Sequence, residues 1–223
     1  MSAMFPEEIA DYLKNNPGFF EQYADLMAQI FVPHPHGGRT VSLAERQMLT
    51  LRDKNRATES KLAELISFGE ENDQISEKVH RLSVALIAAE TFQAVIHLLN
   101  FHLRDDFAVP HVALRLWDKP EGIEDLPEFA AVSEELQVFA ETLARPYCGS
   151  TAGFGTTSWF GEAASHIRSQ ALIALRNGGG TIGMVALGSE DGQRFYADMG
   201  TLYLERIGEM VSAALARVTK STL

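Results

Sequence analysis

The apolar positions of this chain change their period several times, and each change marks an element. Over residues 6–30, Ile9, Tyr12 and Leu13 fall on one face at three- and four-residue steps. Asn15-Asn16-Pro17-Gly18 interrupts with turn chemistry, after which Phe19, Phe20, Tyr23, Leu26, Met27 and Ile30 form a second short face. The spacing predicts a head of two short helices, neither long enough to hold in water alone. Val32 to Thr40, carrying Pro33, Pro35, Gly37 and Gly38, reads as an irregular connector. Ser42-Leu43-Ala44-Glu45 has the sequence of a capping box, in which the Ser42 hydroxyl accepts from the Glu45 N–H and the Glu45 carboxylate reaches back.

From there to about Leu86 the chain has no proline and a single glycine, Gly69. Met48, Leu51, Asn55, Thr58, Leu62 and Leu65 alternate steps of three and four. Phe68, Asn72, Ile75, Val79, Leu82 and Leu86 carry the pattern on, but the step from Leu65 to Phe68 is three where four is due, a register slip of the stammer type. The pattern predicts a long connecting helix over 41–90 through which two copies of the chain pair as a homodimer; the alternative is a helix packed against its own head and C-terminal domain, with no partner chain. Asn55 and Asn72 sit on the seam, where a polar residue sets register at a cost in stability. Such a seam is weak and adjustable near Phe68.

Past residue 90 the elements shorten. Phe92, Val95, Ile96, Leu99 and Leu103 make one helical stripe over 91–107, and His111 to Trp117 alternates as a strand. Ser133-Glu134-Glu135-Leu136 starts a helix that ends before Pro146. Ala171–Leu175 and Ile182–Leu187 read as two strands joined by the hairpin connector Arg176-Asn177-Gly178-Gly179-Gly180. Phe195, Met199, Leu202, Tyr203, Ile207, Met210, Val211 and Ala214 predict a final helix. A hairpin among helices without βαβ alternation is the α+β class. The boundaries are a helical head and loop over 1–40, the long helix over 41–90 and a compact domain over 91–223.

Composition narrows the function classes. Nineteen Lys and Arg stand against 30 Asp and Glu, for a formal charge of −11, which works against a sequence-independent grip on nucleic acid and against anionic membranes. No apolar run reaches the length of a membrane span, and no signal peptide is legible. Cys148 is the only cysteine, so an intrachain disulfide framework is excluded and a cytoplasmic, reducing compartment is expected.

The chemistry-bearing residues are few. Cys148 could act as a nucleophile, an attachment point or a redox sensor, or could be a buried core cysteine; no Cys–His–Asn or Ser–His–Asp pattern accompanies it. His34 and His36 do not complete a metal site. Gly178-Gly179-Gly180 lacks the Lys-Ser or Lys-Thr of a phosphate loop. Arg115 and Trp117 share one strand face, where Arg could meet a carboxylate or phosphate and Trp could stack on a flat ligand; an outer-face arginine is the alternative. Gly149, Ser150 and Thr151 open a polar, glycine-rich connector, and Arg168 and Gln170 precede a strand.

Tyr12-Leu13 … Asn16-Pro17-Gly18-Phe19-Phe20, Val32-Pro33-His34 and Val41-Ser42-Leu43-Ala44-Glu45-Arg46-Gln47 together resemble the N-terminal block of a bacterial family known as DUF484. Glu71-Asn72-Asp73, Tyr147-Cys148-Gly149, Ser169-Gln170-Ala171-Leu172-Ile173, Gly183-Met184-Val185-Ala186-Leu187-Gly188-Ser189 and the closing Asp191 … Arg194-Phe195 continue the likeness over nearly the whole chain. The resemblance implies a C-terminal GAF/PAS-like domain: an antiparallel sheet flanked by helices that often drive dimerisation and that in many cases binds a small molecule. It implies no particular ligand or cofactor. Arg115, Trp117, Cys148, Gly149, Ser150, Thr151, Arg168 and Gln170 are then the candidate pocket residues, with the 149–157 connector lying opposite the sheet. The expected function is a non-catalytic sensory or regulatory module that binds a small molecule. The alternative is an adaptor that binds another protein through its helical head, with no small ligand. An enzyme would rest on Cys148 alone.

Overall fold

The computed structural model describes residues 5–34, 37–120, 123 and 125–220. It divides into two compact units, Met1–Glu70 and Glu71–Leu223.

In the first unit, α1 (Pro6–Asn15) starts at a proline whose missing N–H costs nothing at that position. The Phe5 N–H donates to Glu8 Oε2 at 2.9 Å, satisfying one more of the helix's free donors. Asn16 Nδ2 donates back to the Tyr12 carbonyl and closes the helix before Pro17. The second half of the head is two short helices, α2 (Gly18–Gln22) and α3 (Ala24–Gln29), not one. Tyr23 leaves helical geometry between them, with φ −120° and ψ 43°. The expected irregular connector contains a two-stranded antiparallel ribbon, β1 (Phe31–His34) and β2 (Gly37–Ser42). Prolines and glycines hid it, because they break the alternation that marks a strand.

The long helix, α4 (Leu43–Ala88), begins directly after Ser42, where the capping box places its start; the Ser42 side chain lies outside the described residues. No described residue of the first unit is buried. Met48, Leu51, Leu62, Leu65 and Phe68 are each more than half exposed.

In the second unit the remainder of α4 packs with α5 (Phe92–Asp105) and α7 (Leu202–Lys220) on one face of a four-stranded antiparallel sheet. Its strands are β3 (His111–Leu116), β4 (Tyr147–Ser150), β5 (Ser169–Asn177) and β6 (Gly180–Ser189), in the order β3-β6-β5-β4. The α+β class and the sheet flanked by helices are as the sequence predicts. Leu82, Leu86, Val95, Leu99, Leu103, Ile173, Leu175, Val185, Leu187, Ile207 and Val211 fill this core. On the opposite face, α6 (Glu134–Thr142) and a 3-10 segment (Thr156–Ser165) cover Ala113, Leu172, Met184 and Ala186. Covering on both faces is why β5 and β6 read as continuous apolar runs rather than alternating ones.

Local signals account for the boundaries. The Thr91 hydroxyl accepts from the Ala94 N–H and caps α5, and the Ser133 hydroxyl accepts from the Leu136 N–H and caps α6. Gly178 and Gly179, with φ of 62° and 101°, make the two-residue hairpin turn between β5 and β6 that requires left-handed backbone. Arg217 reaches from α7 to the Leu86 and Ala89 carbonyls, satisfying acceptors that the end of α4 leaves free.

Three expectations are corrected. Phe195 and Met199 precede the final helix instead of belonging to it; Gly200 breaks the chain, and α7 begins only after Thr201, whose hydroxyl donates to Glu205. Tyr147–Ser150 is an edge strand, too short to show a period. Finally, Val79, Leu82 and Leu86, read as part of the exposed stripe, are covered within the chain itself. They are 8%, 0% and 2% exposed and belong to the second unit's own core.

The register slip at Phe68 therefore has a physical meaning. A helix turns about 100° per residue, so losing one residue from the pattern carries the apolar stripe around the helix by about that angle. Before the slip the stripe is exposed, and it is still exposed at Phe68 and Asn72; Ile75 is half-buried, and the stripe is core from Val79 on.

α4 is also tied to α5 by charge. Asp106 accepts from His102 Nδ1 at 2.6 Å and from Arg81 at 2.9 Å. The His102 hydrogen bond, helped by the Arg81 charge, holds the Asp106 carboxyl below its ordinary value against the opposing effect of burial. A carboxyl depressed on folding stabilises above its unfolded pKa, about 4, and loses that contribution as pH falls through its folded value. Asp106→Asn is expected to destabilise the second unit by about 0.5–1 kcal/mol near neutral pH. The difference from wild type should shrink on acidification below about pH 4; urea melts at a series of pH values check it.

Candidate functional site

Strand alternation puts Ala113, Arg115 and Trp117 on the α6 side of the sheet. Arg115 lies opposite Met184 of β6. Its Nη1 donates to the Leu114 carbonyl at 2.8 Å, and its guanidinium carbon stands 5.2 Å from the centre of the Trp159 ring, a cation–π distance. Among the described residues Arg115 makes no ion pair. Burial draws its pKa below the usual guanidinium range, and the nearby Glu128 opposes that only in part. This is a half-buried cation with an aromatic plane beside it and no carboxylate in contact.

Trp117, just past the strand, is half-buried in the same cluster, and its backbone N–H donates to the Ile182 carbonyl. Gln170 of β5 is fully buried there. Its Oε1 accepts from the buried Thr156 hydroxyl at 2.6 Å and its Nε2 donates to the Ser150 carbonyl at 3.5 Å. Gly149 lies opposite Gln170 in the β4–β5 pair. Tyr147, Phe139 and Phe154 close the neighbouring part of the face, with ring centres 4.7 Å apart for Phe139–Phe154 and Tyr147–Phe154.

The structure thus gathers Arg115, Trp117, Gly149 and Gln170 on one face and separates the others. Cys148 projects to the opposite face, into the core with α5 and α7, where burial pushes its thiol up to about 11. It shares no wall with Arg115, and at neutral pH it is a protonated thiol. Arg168 is exposed, and its backbone N–H donates to the Ser189 carbonyl. Ser150 contributes its carbonyl oxygen, which accepts from the Tyr147 hydroxyl at 3.0 Å as well as from Gln170. Thr151 follows β4, half-buried.

The 149–157 connector does not stand opposite the sheet as an open wall. Its first residues are in the sheet as β4, and Phe154 and Thr156 lie over the face together with Trp159 and Phe160 of the 3-10 segment. Sequence reasoning held Thr156 only as part of the 149–157 connector and missed Trp159; the aromatic pair Trp159-Phe160 after a glycine-rich stretch was the available signal. Two grooves open elsewhere on this unit. One, of about 450 Å³, is lined by Leu143, Arg145, Arg176, Glu205, Glu209 and Ser212 among others. The other, about 390 Å³ and mainly apolar, lies between α4 and α7 at Leu86, Ile87, Met210 and Ala213.

Among the described residues no group of three or more His, Cys, Asp or Glu could hold a metal ion, and no helix is long and apolar enough to cross a membrane. His34 lies in β1, and His36 is outside the described residues.

The uncharacterized protein YigA of Salmonella typhimurium is 26% identical over 219 residues, 95% of this chain and 91% of YigA. The GAF domain of A. aeolicus Nlh2 in an inactive state is 12% identical over 65% of this chain and 97% of that one, with a TM-score of 0.45. The free methionine-R-sulfoxide reductase of Neisseria meningitidis, in complex with its substrate, is 15% identical over 66% and 91%, also at 0.45. The profile described as "Protein of unknown function, DUF484" matches residues 1–220, and the chain belongs to that family.

Proposed function

We propose that this chain is a non-catalytic, GAF-like sensory or regulatory module that works as a cytoplasmic homodimer. It binds a small, flat, anionic molecule on the Arg115 face of the sheet. The observation that carries this reading is the state of Arg115: half-buried, stacked on Trp159 and without a carboxylate partner among the described residues. A desolvated guanidinium gains most from a carboxylate or phosphate, which takes two parallel N–H bonds from it, and Trp117 and Trp159 offer planes to a ring.

Side chains of the 154–165 cover fill the face, so binding requires that cover to shift. A ligand that prefers the shifted arrangement changes the population of the two, which is how such a module signals. Cys148, a buried thiol on the other face, takes no part, which supports a role without chemistry.

Thermal shift against nucleotides and carboxylate metabolites tests the reading. A ligand that stabilises the wild type is expected to bind Arg115→Met at least about tenfold more weakly. An unshifted wild type across the library, or an undiminished shift in Arg115→Met, would overturn it. The exposed Phe5, Tyr12, Phe20, Tyr23 and Phe31 of the first unit favour the adaptor as a second reading, in which the head binds another protein and the library produces no shift.

A further inference from the structure

We infer that residues 48–65 of α4 form a parallel, in-register, two-stranded coiled coil with a second copy of this chain, with Asn55 facing Asn55 of that copy; this rests on the dimeric part of the reading above.

The first observation is a face without a cover. Met48, Leu51, Leu62 and Leu65 are 55%, 63%, 56% and 65% exposed, and Asn55 and Thr58 between them are exposed as well. No described residue of the first unit is buried. With this many exposed apolar side chains and no buried residue among those described, the segment gains little to offset the entropy of ordering its chain, and a second chain along the apolar stripe supplies what is lacking.

The charges identify the occupant. Taking Met48, Asn55 and Leu62 as position a, and Leu51, Thr58 and Leu65 as d, position g holds Gln47, Lys54 and Lys61. Position e holds Arg52, Glu59 and Ile66. In a parallel pair each g residue meets the e residue five places on in the other helix. Lys54 then meets Glu59, twice by symmetry, Gln47 meets Arg52, and the Lys61 stem lies along Ile66. An antiparallel pair sets g against g, and the lysine row would face itself. This surface is complementary to itself in one orientation.

Asn55 agrees with that orientation. In the single chain its Nδ2 donates to Glu59 Oε1 at 2.8 Å, and it is the one polar residue at an a position in this span. An a-position asparagine is satisfied by its counterpart across a parallel two-stranded coil and penalises other registers and larger assemblies. The Thr58 hydroxyl donates to the Lys54 carbonyl at 2.9 Å, so its methyl is left for the seam. The coil stops where it must: the next a and d residues are Gly69 and Asn72, neither of them apolar, and from Val79 on the stripe belongs to the core of the second unit.

Single-cysteine crosslinking in the full chain tests this. Cys148 stays in place because it is buried, and the wild-type chain is the control. Met48→Cys, Asn55→Cys and Leu62→Cys are expected to form disulfide-linked dimers roughly tenfold or more faster than the outward Asp53→Cys and Ser60→Cys, because only facing a positions bring the two Cβ atoms within disulfide reach. Lys54→Glu should raise the dimer dissociation constant, and adding Glu59→Lys should restore it. Light scattering on the wild type separates the failures. A monomer overturns both the inference and the dimeric reading. A dimer in which Met48→Cys crosslinks to Leu62→Cys but neither of these two crosslinks to its own kind overturns the parallel register and leaves the dimer standing. Crosslinking equal at inward and outward positions overturns the coil.

Discussion

Leu82→Ala is expected to cost the second unit about 2–5 kcal/mol, a fall in Tm of roughly 5–15 °C for a domain of this size. Leu62→Ala on the same helix should leave that unfolding transition within about 0.5 kcal/mol of wild type. The two leucines lie on the apolar stripe of one helix, twenty residues apart and on either side of the register slip. Leu82 is fully buried among Leu86, Val95, Leu99 and the α7 side chains, and its truncation leaves a cavity that close-packed neighbours cannot fill. Leu62 is 56% exposed, in a unit with no buried residue among those described. Its truncation is expected to weaken self-association instead, seen as a rise in the dimer dissociation constant by sedimentation. Equal thermal penalties at the two positions would contradict the burial of Leu82 and the exposure of Leu62.

Gly183→Ala is expected to cost about 3 kcal/mol and to disturb the candidate site at the same time. Gly183 lies on β6, between Leu116 of β3 and Leu175 of β5. A Cβ there would sit 2.6 Å from Leu116 Cδ2 and closer still to the Arg115 carbonyl oxygen. The leucine methyl can turn away. The carbonyl cannot move without pulling β3 off β6, and β3 is the strand that aims Arg115 and Trp117. Replacing glycine by alanine reduces the freedom of the unfolded chain by about 0.4–1 kcal/mol, too little to offset overpacking of a central strand. Gly180→Ala is the control: nothing lies within 4 Å of its Cβ position, and its stability should match or slightly exceed wild type. Denaturant unfolding of the two variants measures the contrast. If Gly183→Ala unfolds like Gly180→Ala, β3 and β6 are not apposed as described.

The fold was legible where signals are local. The cap at Ser133, the break at Asn16-Pro17-Gly18 and the Asn-Gly-Gly hairpin act through backbone groups a few residues away, so they are written in adjacent letters. Tyr147–Ser150 was not legible, because a four-residue edge strand owes its existence to the partner it hydrogen-bonds, Ser169–Leu172. The same holds for the ribbon at 31–42, whose prolines and glycines speak against a strand until the pairing is seen. Phe195 and Met199 show the opposite error: both pack with the core at helical spacing, yet spacing alone does not say whether the backbone between them is a helix.

The candidate site divides along the same line. Period-two alternation placed Arg115 and Trp117 together, and the lack of a Cys–His pattern already argued against chemistry at Cys148. Alternation within β4 could not say which face was which, since that depends on the register with β5, and the register puts Gly149 beside Gln170 and Cys148 on the far side. Trp159 reaches Arg115 from a segment more than forty residues away in the chain.

By itself the sequence determined that this protein has a helical head, a long helix with a register slip at Phe68 and an α+β domain closed by a hairpin, because periodicity, capping and turn chemistry act over a few residues. Only the tertiary structure decided which part of the α4 stripe is core and which is left uncovered, which face of the sheet each candidate residue occupies, and that aromatic side chains of the 154–165 cover fill the Arg115 face. Those are outcomes of packing between distant segments, where burial is decided by what arrives from elsewhere and not by the residue's own neighbours in the chain.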